Sequence, residues 1–472
     1  MNNFTYYTPT KVVFGRGSEG QTGALVRERG CKKVLLHYGG GSAVRSGLLD
    51  RVKDSLREAG LEWTELGGAL PNPRLSLVRE GVDLCRREGV DFLLAVGGGS
   101  VIDSAKAMAY GAAEEGDVWD LYCGKRQARA ALPVGAVLTI AAAGSEMSDS
   151  SVITNEDGWI KRGYSSDLCR PVFAVMNPEL TMTLPVYQTA CGCTDILMHT
   201  MERYFHPEAG MALTDSLAEA LMRTVMESAR VLTKEPENYE ARAEVMWAGS
   251  LSHNGLTGCG AGGDWMTHKL EHELGGLYDV AHGAGLAAVW GSWARYVYRF
   301  CPERFARFAV HVLGLPAGAD AEETALRGIG AMEDFYRELG MPTSLRERGV
   351  APTEAELALL ARKCAAACRG GGGAVRRLEE AVDKLDAQAG ERGSFLDEVV
   401  MHEVLGELKD IAQRGGISCS GGSKRWKLQV NYSSVDLICA DCGGDLRIPA
   451  ATQSDIEDIC CKQSLRIHGK DC

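Results

Sequence analysis

Three of the chain's ten histidines, His268, His272 and His282, fall in the stretch GGDWMTHKLEHELGGLYDVAHG over residues 262–283. Residues four apart in a helix share a face, so His268 and His272 would point the same way. A turn at Gly275-Gly276 would then bring His282 back toward them. Upstream, Asp195 and His199 in TDILMHT repeat the four-residue spacing and would present a carboxylate and an imidazole from a second helix. Asp195, His199, His268 and His282 form a mixed oxygen and nitrogen donor set of borderline softness, suited to one divalent metal, Fe(II) or Zn(II). A lone histidine on an apolar helix face is ordinarily a hydrogen-bonded core residue, so the clustering carries the metal reading.

The same residues admit a rival. His268-Lys-Leu-Glu271-His272 matches H-x-x-E-H, the inverted zinc-protease motif, in which both histidines bind zinc and the glutamate is the base. The rest of the chain separates the two. From Lys11 onward short apolar, β-rich runs alternate with amphipathic segments, as in a parallel α/β domain. Strands are expected at Lys11–Phe14, Val34–Tyr38, Phe92–Val96, Val134–Thr139 and Val172–Met176, and helices at Ser46–Gly60 and Ser76–Glu88. The runs are continuous rather than alternating, which suits strands covered on both faces.

Two glycine-rich loops follow strands: Gly39-Gly40-Gly41-Ser42, and Gly97-Gly98-Gly99-Ser100 leading to Asp103. In each a strand runs through glycines into a helix, so free backbone N–H groups can approach an anion without interference from Cβ. Neither loop is a G-x-G-x-x-G fingerprint or a P-loop, but two on one sheet favour a dinucleotide. An NAD site commonly sets an acid against the ribose 2′-hydroxyl, whereas a 2′-phosphate is repelled by one. Here no acid intervenes between Gly39 and Asp50, and Arg45 lies close, so NADP(H) is expected in preference to NAD(H).

After Leu184-Pro185 helical spacing dominates, over residues 188–203, 211–232, 240–254 and 324–339. The expected organisation is an α/β dinucleotide-binding domain with a parallel sheet at 1–185, an all-helical metal-binding domain at 186–386 and a small Cys-rich C-terminal extension at 387–472. A net charge of −12 disfavours nucleic acid. With no run of eighteen apolar residues and no basic-then-apolar start, neither a membrane span nor a signal peptide is expected, and the location expected is cytoplasmic. Ten of the sixteen cysteines are scattered through the first 368 residues and read as reduced core thiols.

With these residues collected, the chain resembles the iron-containing (group III) alcohol dehydrogenases, and among them the NADP(H)-dependent butanol dehydrogenase and aldehyde reductase branch. The likeness spans roughly residues 3–370 and rests on GGGSVIDSAK at 97–106, MNPELTMTLP at 176–185, the Asp195/His199 pair, and His268, His272 and His282 in order. It implies one metal on Asp195, His199, His268 and His282, with His272 near the metal but not a standard ligand, against the protease reading. It also implies a pyrophosphate held by Gly97 to Ser100 and Asp103, and further cofactor contacts from Asn72, Thr139 and Lys161. Small aldehydes and the matching primary alcohols are the implied substrates and a homodimer the expected assembly. His272 is the candidate proton relay, since histidine titrates near neutrality. A lyase resembling dehydroquinate synthase, using NAD transiently on the same two-domain fold, is the alternative. Two departures, Asn177 for the usual aspartate and Ala143 where threonine is common, are expected to alter nucleotide affinity modestly.

Beyond about Ala374 the likeness ends. Residues 394–411 carry helical apolar spacing, and Trp426–Tyr432 alternates as a strand. Cys439-Ala-Asp-Cys442-Gly-Gly is a zinc-knuckle pattern that would hold an additional Zn(II), with Cys460, Cys461, His468 or Cys472 as the second pair.

Overall fold

The computed structural model describes residues 1–207, 210–353, 356, 359–360, 363–364 and the backbone of 426–431, 434–439 and 445–449. The N-terminal half comprises β1 (Lys11–Phe14), α1 (Thr22–Arg27), β2 (Lys33–Gly39), α2 (Ser42–Arg45), α3 (Leu48–Glu58), β3 (Glu62–Ala69), α4 (Leu75–Glu88), β4 (Phe92–Gly97), α5 (Gly99–Ala113), α6 (Trp119–Tyr122), β5 (Val134–Leu138), β6 (Ser150–Asn155), β7 (Ile160–Ser165) and β8 (Phe173–Met176). Six strands form one parallel sheet in the order β1-β8-β5-β4-β2-β3. The central strands β4 (FLLAVG) and β5 (VGAVL) are buried at every residue, the pattern that helices on both faces demand. On one face α1 and α3 bury Leu25, Leu49, Val52 and Leu56 against Val34 and Val96; on the other α4 and α5 bury Val78, Val82, Ile102 and Met108 against Leu35 and Ala95.

Strand order decides where a ligand would lie. From β2 the chain moves outward to β3, then returns past β2 to β4, so the crossovers diverge between β2 and β4. The crevice outside the carboxyl ends at such a switch point is where open α/β sheets bind ligands. Both glycine loops sit there, on adjacent strands with Tyr38 in register with Val96.

The five strands expected from the sequence are present to within a residue or two, but β3 and the β6–β7 hairpin were not read from it. β3 is an edge strand with a polar, partly exposed sequence, EWTELGGA. The hairpin lies outside the main sheet and is fastened by α5: Asp103 Oδ2 accepts the Val152 N–H at 2.9 Å, and Lys106 Nζ donates to Ser148 O at 2.9 Å and Ser150 O at 2.8 Å.

The second half is helical: α7 (Val186–Tyr204), α8 (Ala212–Lys234), α9 (Tyr239–His253), α10 (Met266–Tyr278), α11 (His282–Val297), α12 (Pro302–His311) and α13 (Ala321–Glu338). Asn238 caps α9 by accepting the Ala241 N–H at 3.0 Å, and Asp320 caps α13 through the Glu323 N–H at 2.8 Å. Their core buries Phe205, Trp290, Phe305 and Tyr336, each at most 1% exposed, worth about 1.5–3 kcal/mol for a side chain such as phenylalanine. No helix among the described residues is long and apolar enough to cross a membrane.

One local expectation is corrected. Gly275-Gly276 is not a turn: α10 runs through both glycines and ends at Asp279, whose φ of 50° is left-handed. The glycines serve close approach instead. A Cβ at Gly276 would lie 2.8 Å from the Trp159 carbonyl, and one at Gly275 would lie 2.9 Å from Glu271 Oε1 and 3.2 Å from Lys161 Nζ. They let α10 lie directly against the hairpin.

In the C-terminal extension, β9 (Trp426–Asn431), β10 (Ser434–Cys439) and β11 (Asp445–Pro449) form an antiparallel sheet in the order β11-β10-β9. The strand expected at Trp426–Tyr432 is β9. Cys439 ends β10, whereas Cys442, the second cysteine pair and the helix expected at 394–411 lie outside the described residues.

Candidate metal centre and nucleotide crevice

Three helices converge on the histidine cluster. α7 supplies Asp195, His199 and Glu202 from one face, because positions 195, 199 and 202 are spaced four and three apart. α10 supplies His268, Glu271 and His272, and His282 is the first residue of α11. That placement depends on Gly283, where a Cβ would overlap the Cys191 carbonyl of α7. Asp195, His268 and His282 offer donor atoms within 4.8 Å of one another. From Asp195 Oδ1, His268 Nε2 lies at 3.5 Å and His282 Nε2 at 3.7 Å. His199 adjoins this group, with Nδ1 3.4 Å from the same oxygen and its ring stacked on His268 at 4.6 Å.

Asp195 Oδ1, His199 Nδ1 and His268 Nε2 are buried and have no hydrogen-bond partner in the structure. Leaving such atoms unpaired is costly, on the order of 1–3 kcal/mol each, more for a charged group. Their convergence, in a set of one carboxylate and three imidazoles, fits a divalent cation. Burial alone would lower the His268 pKa, but Glu202 and Asp195 outweigh it and raise it to about 9. The local field thus favours positive charge, which a metal ion can supply in place of a proton. His199 and His272 are pushed well below the usual imidazole value, first by burial, then by neighbouring cationic groups.

Two carboxylates not assigned from the sequence hold the rings. Glu202, fully buried, contacts His268 Nδ1 through Oε2 and accepts the His268 backbone N–H at 3.1 Å through Oε1. Glu271, also fully buried, contacts His282 Nδ1 through Oε2. Each leaves Nε2 toward Asp195, the arrangement by which second carboxylates fix metal-binding imidazoles. Glu202 carried a signal in its helical phase, two turns beyond Asp195. In the protease motif Glu271 would be the base, but its carboxylate is turned to His282 and to Lys161 Nζ at 3.1 Å.

Around the crevice, Gly39 ends β2 and Gly41 has φ 134°, a conformation that only glycine adopts readily. Gly97 ends β4, Gly98 precedes α5 with no side chain capping it, and Gly99 and Ser100 form its first turn. Thr139 follows β5 and its N–H donates to Gly97 O at 3.1 Å. Asp103 faces inward, with Oδ2 on Val152 N–H and Oδ1 on the Ser145 hydroxyl, so both of its oxygens already shape the loop's support.

Asn72 and Lys161, expected as cofactor contacts, sit where the halves meet. Asn72 Nδ2 donates to Asp279 Oδ1 at 2.9 Å, joined by Arg74 Nη2 at 3.2 Å. Asn72, Trp159 and Asp279, all with φ near 50°, gather at this seam beside His282, where neighbouring contacts hold them in a sparsely populated conformation. Of the two departures, Asn177 accepts the Glu179 N–H at 3.1 Å through Oδ1 and donates through Nδ2 to Glu19 Oε2 at 3.0 Å. An aspartate there would face a second buried carboxylate. Ala143 sets its methyl against Gly99, where a Cβ would come within 2.9 Å.

Two glycine loops at a switch point of a parallel sheet, together with a buried cluster of oxygen and nitrogen donors, are the parts of a metal-assisted nicotinamide oxidoreductase. Residues 9–178 match the family described as Iron-containing alcohol dehydrogenase, and residues 189–380 that described as Fe-containing alcohol dehydrogenase family, C-terminal. The chain is 44% identical to the probable NADH-dependent butanol dehydrogenase 1 of Bacillus subtilis (74% of this chain, 90% of the relative). It is 39% identical to the NADPH-dependent aldehyde reductase YqhD of Escherichia coli, with the same coverage of each chain. The solved structure of the NADH-dependent butanol dehydrogenase A from Thermotoga maritima is similar at TM-score 0.76 and 39% identity, over 86% of this chain and 98% of that one. The chain belongs to the iron-containing alcohol dehydrogenase family and is an oxidoreductase of alcohols and aldehydes that works with a nicotinamide cofactor and a metal ion.

Proposed function

We propose that this enzyme reduces short- to medium-chain aldehydes, and oxidises the matching primary alcohols, with NADP(H) in preference to NAD(H) and with Fe(II) or Zn(II) held by Asp195, His199, His268 and His282. The observation that carries the reading is that Asp195, His268 and His282 bring donor atoms within 4.8 Å of one another, two of them buried and unpartnered, with His199 Nδ1 also unpartnered and 3.4 Å from Asp195 Oδ1. When bound, the metal supplies Lewis acidity toward the substrate oxygen and the nicotinamide supplies or accepts the hydride.

The chain's own residues do the rest. Gly97–Ser100 offer free N–H groups at the start of α5 to the pyrophosphate, and Gly39–Ser42 line the adenosine ribose. Asn72, Thr139 and Lys161 complete the nucleotide's surroundings; Asp103, expected at the pyrophosphate itself, instead supports the loop from behind, its two oxygens accepting from the Ser145 hydroxyl and the Val152 N–H. His272 is the residue proposed to pass the proton exchanged with the substrate oxygen; its surroundings, desolvation first and then Lys161, hold it well below the usual imidazole value and so make it a weaker base than its residue type alone suggests.

Initial rates of NADPH and NADH oxidation with butanal test the reading, on protein as purified, after chelation, and after Fe(II) or Zn(II) is restored. The expected result is metal-dependent oxidation, faster with NADPH. Absence of net turnover with any aldehyde would favour the lyase chemistry instead. The nucleotide preference has its own check. Gly40 is exposed and a Cβ there meets nothing within 4 Å, so Gly40→Asp fits without clash. Its carboxylate would repel a 2′-phosphate, and the ratio of kcat/KM for NADPH over NADH should fall on the order of tenfold, ~1.4 kcal/mol. An unchanged ratio would remove Gly39–Ser42 from the ribose site.

A further inference from the structure

We propose that Glu271 is a positioning residue for His282, orienting the imidazole so that Nε2 faces the metal, and that Lys161 anchors Glu271 in that task. The inference rests on His282 being a ligand, as proposed above. Glu271 is wholly buried on α10, and His282 opens the next helix after the left-handed turn at Asp279. Its Oε2 meets His282 Nδ1, so the ring's hydrogen-bonding edge is committed there and the opposite nitrogen is left toward Asp195.

Lys161 comes from β7, in the other half of the molecule. Its Nζ lies 3.1 Å from Glu271 Oε2 and 3.5 Å from His282 Nδ1, two members of the second group of close donors, Glu271, His272 and His282. A side-chain amine from β7 therefore already stands against this carboxylate and ring. Gly275 and Gly285 give Glu271 its room: a Cβ at Gly275 would lie 2.9 Å from Oε1, and one at Gly285 would lie 2.8 Å from Cγ. The pocket is built around this side chain.

The test is Zn(II) affinity of the full chain, measured by competition with a chromogenic chelator, for the native protein and for Glu271→Gln, Glu271→Ala and His282→Ala. Glutamine keeps an oxygen that accepts the Nδ1–H, whereas alanine removes it. Glu271→Ala is expected to weaken Zn(II) binding about 10–100-fold, with Glu271→Gln recovering most of the loss. Near-ultraviolet circular dichroism confines the comparison to folded protein, and Glu271→Leu, which keeps the bulk but has no acceptor, takes the place of alanine with the same expected loss if alanine does not fold. Affinity within twofold of native in both Glu271 variants, alongside a weakened His282→Ala, would overturn the positioning role alone. Native affinity in His282→Ala would overturn the ligand assignment beneath it.

Discussion

Replacing His268 by alanine is expected to remove metal binding and, if butanal is turned over as proposed, to lower kcat/KM for it by about a thousandfold or more. His268 is central to the cluster: Nε2 lies 3.5 Å from Asp195 Oδ1, the ring stacks on His199, and Nδ1 is held by Glu202. Loss of the ring takes one donor and exposes the unpaired Asp195 carboxylate to a cavity. A Lewis acid of this kind contributes several kcal/mol to the barrier, and each 1.36 kcal/mol is tenfold, so ~4 kcal/mol corresponds to about a thousandfold. Metal analysis of the purified variant and steady-state rates give the result directly. A variant with stoichiometric metal and native turnover would sink the assignment.

Gly283→Ala should damage the same site without touching any proposed ligand. The added methyl would overlap the Cys191 carbonyl, which is backbone and cannot rotate away, so α11 must withdraw from α7. His282 sits at the tip of α11 and Asp195 on α7, one turn beyond Cys191; the separation of Nε2 from Oδ1 would open beyond its present 3.7 Å. Overpacking of this kind costs about 1–3 kcal/mol of stability. Thermal unfolding should show a lower Tm, and Zn(II) affinity should fall at least about tenfold beyond what the population of unfolded protein explains. If Tm drops while affinity of the folded protein stays native, the close approach of the helices serves stability alone.

Much of the scaffold was legible because periodicity is local. Continuous apolar runs marked the buried strands β4 and β5, and four-residue spacing marked α7 and the face that carries Asp195 and His199. β3 escaped because an edge strand half in water need not be apolar, and the β6–β7 hairpin because its fastening comes from Asp103 and Lys106, some fifty residues earlier. The glycine pair in α10 misled for a related reason. Glycine reads locally as a turn, but Gly275 and Gly276 are there for neighbours distant in sequence, Lys161 and the Trp159 carbonyl.

The sequence by itself determined which chemistry was available: histidines and an aspartate at helical spacing, two glycine loops after strands, and no acid in the first of them. Tertiary structure alone decided which atoms meet. Glu202 and Glu271 are unremarkable in a helical sequence, yet burial denies them water and leaves histidine nitrogens as their partners. Lys161, expected as a nucleotide contact, also lies against Glu271 and His282, neighbours that no linear pattern reveals. A side chain's type travels with the sequence, but the cost of desolvating its charge, and so the partner it must find, depends on what the fold packs around it.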